Sequence, residues 1–355
     1  MFEALKIKSS LGEYEVKFDQ TSFEQLDQFI EGNNHFIIDE KLVGCYPDVL
    51  KSVIENPRTI LVEASESSKA IIQVLPIIEK LIANGMRRHQ TIVAIGGGII
   101  QDITCFISTV LFRGVNWKFI PTTLLSQADS CIGSKSSINL GKTKNILGSF
   151  KPPSDILINP MFLQTLDKRE IFSGVGEILK VHVIGGVEVY DSVASVYDSL
   201  FRDPIVLLEY IKKSLLIKKK YIEIDEFDKG IRNIFNYGHS FGHAIESATK
   251  FAIPHGIAVT IGMDMANRIA VDRNLLLESH YQRMHEVLRK NYLPYIDTKI
   301  PLDRLLAALK KDKKNTADAL VLIMPVGANA DVQKVEVVGD AVFQSQCKSF
   351  LDGMC

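Results

Sequence analysis

Two histidines stand four residues apart in Asn236-Tyr-Gly-His-Ser-Phe-Gly-His243, and His255 follows between a proline and a glycine. Imidazoles at i and i+4 can share one metal ion, as in metalloprotease helices, although no Glu stands beside His239 here. Arg232, Asn236, His239 and His243 recur every three or four residues, a spacing that predicts one helical stripe of polar side chains facing a ligand or water. His255 adds a third candidate donor and Glu177, in GVGEILK, a fourth. Glu177 and Lys180 share a helix face, and such a pair is ordinarily a surface ion pair of little consequence. His35, His89, His182, His280 and His285 are read as chance surface histidines.

A second group lies nearer the N-terminus. Gly96-Gly97-Gly98 follows an apolar run and precedes a helical pattern, the place where backbone amides and a helix N-terminus can hold a pyrophosphate. The strict GxGxxG fingerprint is not met, because Gln101 stands where its third glycine belongs. Further on, Asp129-Ser-Cys-Ile-Gly-Ser-Lys135 leads to Asn139, Lys142, Lys144 and Asn145. These lysines and amides can surround a phosphate as point charges and donors, with a solvated loop as the plain alternative.

Elements must position these groups. ALKIKSSLGEYEVKF and HFIIDE make the first 40 residues look like strands. TILVEA and TIVAI read as buried strands around a helical stretch from Ser67 to Asn84, in which Pro76 predicts a kink or a helix start. WKFIPTTLL and DILINP are further strands; from about Met161 to Lys311 long amphipathic patterns dominate, until VLIMPVG and KVEVV. This order predicts an α/β fold: an N-terminal Rossmann-like domain over residues 1–155 and a C-terminal mainly α-helical domain over 156–355.

With 46% hydrophobic residues, 23% charged residues and 12 prolines in 355, the chain is expected to fold throughout. A net charge of −1 offers no basic field for a nucleic-acid backbone. MFEALKIKSS has no secretory pattern, no apolar run reaches a membrane span, and the chain is read as cytoplasmic. Cys45, Cys105, Cys131, Cys347 and Cys355 form no close ligand spacing and are read as free thiols.

GGGIIQD, Arg113-Gly114, PTTLLSQADS, GSKSSIN, Lys144-Asn145, FLQTL, GVGEILK, DEFDKGIRNIFNYGHSFGHAIE and HGIAVTIGM resemble, in order and spacing, the 3-dehydroquinate synthase family of sugar phosphate cyclases, over roughly residues 35 to 330. The resemblance implies an NAD-binding N-terminal domain, a metal-binding helical domain carrying zinc or cobalt, and a homodimer. It implies Glu177, His239 and His255 as metal ligands. His243 would instead contact the substrate phosphate with Lys135, Asn145, Asn236 and Lys313, or Lys314 in its place. Arg113 would reach the phosphate of the neighbouring subunit, and Arg232 and Lys218 would hold a carboxylate. Asp129 and Lys180 would surround the carbon that is oxidised. Asp39, Glu66, Lys69, Gly97, Gly98, Asp102, Thr122, Thr123, Lys144 and Thr165 match positions that touch NAD.

The chemistry so implied is conversion of 3-deoxy-D-arabino-heptulosonate 7-phosphate to 3-dehydroquinate and phosphate, within aromatic amino acid biosynthesis. A hydroxyl is oxidised by NAD, phosphate is eliminated, the hydride returns, and aldol closure follows; the enzyme is thus a phosphate-eliminating carbon–oxygen lyase. A sibling cyclase acting on sedoheptulose 7-phosphate or glucose 6-phosphate is the alternative, and a metal- and NAD-dependent alcohol dehydrogenase a third reading. The chain departs from the family pattern at Lys41, Gln101, Ser134, Ser136, Asp228 and Ile257.

Overall fold

Seven strands form one sheet in the order β1-β2-β9-β6-β5-β3-β4, parallel throughout except for the antiparallel β1–β2 pair. They are β1 (Leu5–Ile7), β2 (Tyr14–Phe18), β3 (Asn34–Asp39), β4 (Thr59–Val62), β5 (Thr91–Gly96), β6 (Asn116–Pro121) and β9 (Asp155–Ile158); β7 (Ile138–Leu140) and β8 (Thr143–Leu147) make a separate hairpin. The computed structural model describes residues 3–19, 22–141, 143–311 and 319–354. The central strands are buried along nearly their whole length, as a parallel sheet covered on both faces requires.

Helices α1 (Glu24–Ile30), α2 (Lys41–Cys45), α3 (Lys51–Ile54), α4 (Ile71–Ala83) and α5 (Gly98–Val110) accompany this sheet. The all-strand reading of the first 40 residues is corrected by α1, where Leu26, Phe29 and Ile30 recur at helical spacing and are buried. Pro76 does not start its helix either: α4 begins at Ile71 and runs through it.

The chain divides into two compact units, Met1–Leu166 with Lys218–Phe227, and Asp167–Ile217 with Asp228–Cys355. The first unit thus extends past residue 155, because β9 pairs with β2 and β6 in its sheet. The second unit is built of α6 (Lys168–Ile184), α7 (Val187–Ser195), the first part of α8 (Pro204–Ile224), α9 (His239–Ala248), α10 (His255–Asp272), α11 (Glu278–Tyr292), α12 (Leu302–Lys310), the β10 (Ala319–Val326) and β11 (Asp331–Val338) hairpin, and α13 (Ala341–Met354). Its centre is α10, on which fourteen residues are buried, from Gly256 to Ala270. Among the described residues no helix is long and apolar enough to cross a membrane.

Candidate active site

In the first unit the chain passes from β3 outward to β4 and then returns to β5 on the other side of β3. Such a reversal opens a crevice at the carboxyl ends of the two inner strands, the general ligand site of open parallel sheets. Asp39 ends β3, and Gly96-Gly97-Gly98 joins β5 to α5. Gly97 is the N-cap of α5 and no side chain caps the helix, so the first amides suit a pyrophosphate oxygen.

Around this turn the charged side chains form a chain of contacts. Lys69 is buried, pairs with Asp102 at 2.7 Å and donates to Asn145 Oδ1 at 3.0 Å. The Asn145 amide nitrogen donates to Asn139 Oδ1 at 2.8 Å, and Asn139 Nδ2 donates to Glu66 Oε1 at 2.8 Å. Lys144 lies 4.0 Å from the same Glu66 oxygen. Burial raises the Asp102 carboxyl to about 6 in spite of Lys69, and burial likewise raises Asp39, opposed by the Lys41 amide that donates to it. Thr122 is buried and its amide donates to Gly96; Thr123 exchanges hydrogen bonds with Ser126; Thr165 donates to the Tyr46 hydroxyl at 3.0 Å. The cofactor positions read from the resemblance therefore belong to this unit, and four of them, Glu66, Lys69, Asp102 and Lys144, share one network.

Beyond Thr123 a single π turn, Ser126–Ser130, carries Asp129. Lys218 Nζ lies 2.5 Å from the Asp129 carboxylate and donates to its carbonyl at 2.6 Å. Lys218 therefore holds Asp129 through both its carboxylate and its carbonyl. Lys135 is exposed next to Ser134, whose φ is +67°. Arg113 is exposed on a left-handed run in which Phe112, Arg113 and Gly114 have φ of 50°, 64° and 123°. Lys313 and Lys314 lie outside the described residues.

In the second unit, glycines decide what meets. A Cβ on Gly176 would lie 2.4 Å from the Gly256 carbonyl oxygen, and one on Gly256 1.9 Å from that of Ser173. Only glycine lets α6 and α10 approach so closely, and the neighbours of these glycines, Glu177 and His255, come together as a result. Glu177 Oε1 is 3.6 Å from His255 Nε2 and 3.9 Å from His239 Nε2. Lys180 contacts the same carboxylate, and both residues are buried, which corrects the surface-pair reading.

The single helical stripe is also corrected. Arg232 and Asn236 sit on a 3₁₀ segment, Ile231–Asn236, and a new helix starts at His239 after Gly238. Gly238 has φ +76°, and a Cβ there would lie 2.5 Å from Met263 Cγ and 2.6 Å from the Val259 carbonyl. Packing against α10 thus breaks the helix and puts His239 at the first position of α9. Arg232 is buried, and Asn236 Nδ2 donates to the Asn233 carbonyl.

The ligating atoms of His239, His243 and His255 all lie within 4.8 Å of one another. His239 Nδ1 faces the Tyr237 carbonyl at 3.2 Å and His255 Nδ1 faces Glu246 Oε2 at 3.2 Å. Each acceptor fixes the proton on Nδ1 and turns Nε2 toward the Glu177 side, the way metal-ligating imidazoles are oriented. Burial, then the charges of Lys180, His255 and His243, hold His239 well below its usual range, so it is a neutral donor. Burial works against charging His255, but Glu246 and Glu177 outweigh it and raise its pKa. Imidazole nitrogens converging on a buried carboxylate fit a divalent cation of the zinc or cobalt type. His243 shares the 4.8 Å cluster with the other two, so that grouping does not separate it from them. Glu246 was missed in the sequence; its signal was an acidic residue one turn after His243 in HAIE.

The family model for the 3-dehydroquinate synthase N-terminal region matches residues 59–173, and that for the C-terminal region matches residues 174–315. The 3-dehydroquinate synthase of Thermoanaerobacter sp. (strain X514) is 32% identical over 336 residues, covering 92% of this chain and 93% of that protein. Among solved structures, 2-epi-5-epi-valiolone synthase from Streptomyces hygroscopicus subsp. jinggangensis 5008, with NAD⁺ and Zn²⁺ bound, is 26% identical with a TM-score of 0.83, covering 100% of this chain and 99% of that one. A 2-deoxy-scyllo-inosose synthase complexed with carbaglucose-6-phosphate, NAD⁺ and Co²⁺ shares the fold, with a TM-score of 0.84 at 23% identity over 98% of this chain and 100% of that one.

Proposed function

We propose, from the premise that this chain belongs to the 3-dehydroquinate synthase family, that it converts 3-deoxy-D-arabino-heptulosonate 7-phosphate to 3-dehydroquinate and phosphate, as a cytoplasmic homodimeric lyase. The observation that carries the reading is the convergence of His239 and His255 Nε2 on the Glu177 carboxylate in the second unit, in a chain whose first unit has a parallel sheet with a β5–α5 turn that suits a dinucleotide. When bound, NAD supplies the hydride acceptor and a divalent zinc or cobalt ion the Lewis acid.

This chain's residues do the rest. Glu177, His239 and His255 hold the ion; Gly97, Gly98 and the Lys69–Asp102 network hold the cofactor. Asp129, fixed by Lys218, and Lys180, fixed by Glu177, serve the carbon that is oxidised, where developing charge needs groups already oriented. Arg232 and Lys218 take the substrate carboxylate. Lys135, Asn145, Asn236 and His243 take the phosphate, and positioning imposes its elimination. Asn145 suits this task because its Oδ1 accepts from Lys69, which leaves its NH₂ as the end that can face a phosphate. Arg113, held on a left-handed backbone, serves the phosphate bound by the neighbouring subunit.

The test is phosphate release from a panel of sugar phosphates by protein supplied with metal and catalytic NAD. Release from the heptulosonate without accumulating NADH is expected. Release from sedoheptulose 7-phosphate alone would move the substrate to that of a sibling cyclase, and net NADH formation would make the protein a dehydrogenase.

A further inference from the structure

Gln101 lies in the first turn of α5, its amide bonded to the Gly97 carbonyl at 3.0 Å, and its side chain is buried. That side chain bonds Ser130, whose hydroxyl lies 4.0 Å from where a Cβ on Gly98 would stand. Its Nε2 donates to the Ser130 carbonyl at 2.6 Å, and its Oε1 accepts from Ser130 Oγ at 2.7 Å. Both ends of the amide are therefore used on one residue, in a reciprocal pair that tolerates only one orientation.

Ser130 ends the π turn, and Asp129 precedes it. Carbonyls at the end of a helical turn lack in-helix donors and must be met otherwise. Here side chains meet two in succession: Lys218 donates to the Asp129 carbonyl and Gln101 to that of Ser130. The next residue of α5, Asp102, holds Lys69 at 2.7 Å and through it Asn145. One helical turn thus touches the glycine turn through its backbone, the Lys69 network through Asp102, and the Asp129 segment through Gln101. Single-turn π segments cluster at functional sites because they aim one side chain, and such aim holds only while both ends are tied.

We propose that Gln101 is a positioning residue for the oxidation step, holding the π turn that carries Asp129 in register with the glycine turn at the N-terminus of α5. The proposal rests on the roles given above to Asp129 and Lys218. It separates two effects: aim at the reacting carbon depends on Gln101, and cofactor affinity does not, because the amide is spent on Ser130.

The experiment uses the full chain with metal and NAD. Gln101→Met keeps the size and removes both hydrogen bonds. Its kcat for phosphate release is expected to fall about 10- to 100-fold, the range a small misplacement produces, with the NAD Kd within about twofold of wild type. Gln101→Glu carries the test alone where the Met variant does not fold. Its carboxylate faces the Ser130 carbonyl at neutral pH and lowers kcat; protonation restores a donor to that carbonyl, so the ratio of variant to wild-type kcat rises as pH falls. A Met variant with kcat within about twofold of wild type, NAD affinity lost in step with kcat, or a ratio flat with pH would each overturn the proposal. A wild-type protein that releases no phosphate from any substrate would instead overturn the reading of function beneath it.

Discussion

The candidate regions of the two units solve opposite problems. Around β5 and α5, charges are matched within the protein: Asp102 with Lys69, Lys69 with Asn145, Glu66 with Asn139 and Lys144. A ligand there meets a finished network and is held by backbone amides and shape. Around α6, α9 and α10, Nδ1 atoms are satisfied while Nε2 atoms turn to one carboxylate. Lys180 is the cation already paired with that carboxylate, and a divalent ion held by the same imidazoles would share it. The first region matches its charges pair by pair; the second gathers imidazole nitrogens and one ammonium around a single carboxylate.

The sharpest way to break this comparison is to remove one Nε2 donor. His239→Ala is expected to lose bound metal and to lower kcat/KM more than about a hundredfold, since both the ligand and the oriented set go with it. His243→Ala is expected to keep its metal and to raise KM for the sugar phosphate. Metal content by elemental analysis and steady-state kinetics check both. Equal metal loss in the two variants would make His243 a ligand, which its distance from the others permits, and would end the division of labour along α9.

How much of this could be read beforehand depends on whether the cause was local. β5 and the glycines after it were legible because an apolar β-branched run ending in a tight turn is a property of neighbours in sequence. The strands β10 and β11 were legible for the same reason, though not their antiparallel pairing. The break at Gly238 was not: periodicity carries Arg232 to His243 as one stripe, and only Met263 and Val259 pressing on Gly238 interrupt it. Glu177 and Lys180 looked like a surface pair because their spacing says nothing of the α10 backbone that covers them. Residue types pointed to the metal set, while its assembly rests on Gly176 against Gly256, a contact between helices far apart in sequence. Gln101 was visible as a departure, but its partner Ser130 was not.

A smaller effect tests the first region. Burial raises Asp102 from 3.8 to about 6 against the pull of Lys69. Above that pH the carboxylate is charged and holds Lys69; below it the pair is lost, so kcat/KM is expected to fall by up to about tenfold per pH unit there. Stability moves the other way. The folded state holds this proton more tightly than the unfolded chain, so the group's contribution is present below its unfolded pKa and lost as pH rises through about 6. Asp102→Asn should remove the acid limb of the rate profile. The stability of wild type relative to that variant should grow as pH falls from about 6 to about 4, read from denaturant unfolding. Parallel movement of rate and stability would show that the charge on Asp102 does not organise this region.

The smallest effect concerns backbone rather than charge. Ser134 precedes Lys135, is buried, and holds φ +67° where a glycine would be at ease. Its carbonyl accepts from the Lys151 amide at 2.7 Å, and its hydroxyl reaches Glu226 Oε1 only at 3.4 Å. A left-handed L residue costs roughly 1–2 kcal/mol, while glycine adds roughly 0.5–1 kcal/mol of unfolded-state freedom, so Ser134→Gly is expected to stabilise by less than about 1 kcal/mol. Ser134→Ala keeps the strain and loses the hydroxyl, and should destabilise slightly. Opposite signs in denaturant unfolding would show that strain is stored at the residue before Lys135. The same sign in both would assign the effect to the hydroxyl and Glu226, and would return Lys135 to the rule that governs the rest of its region, placement by matched polar contacts.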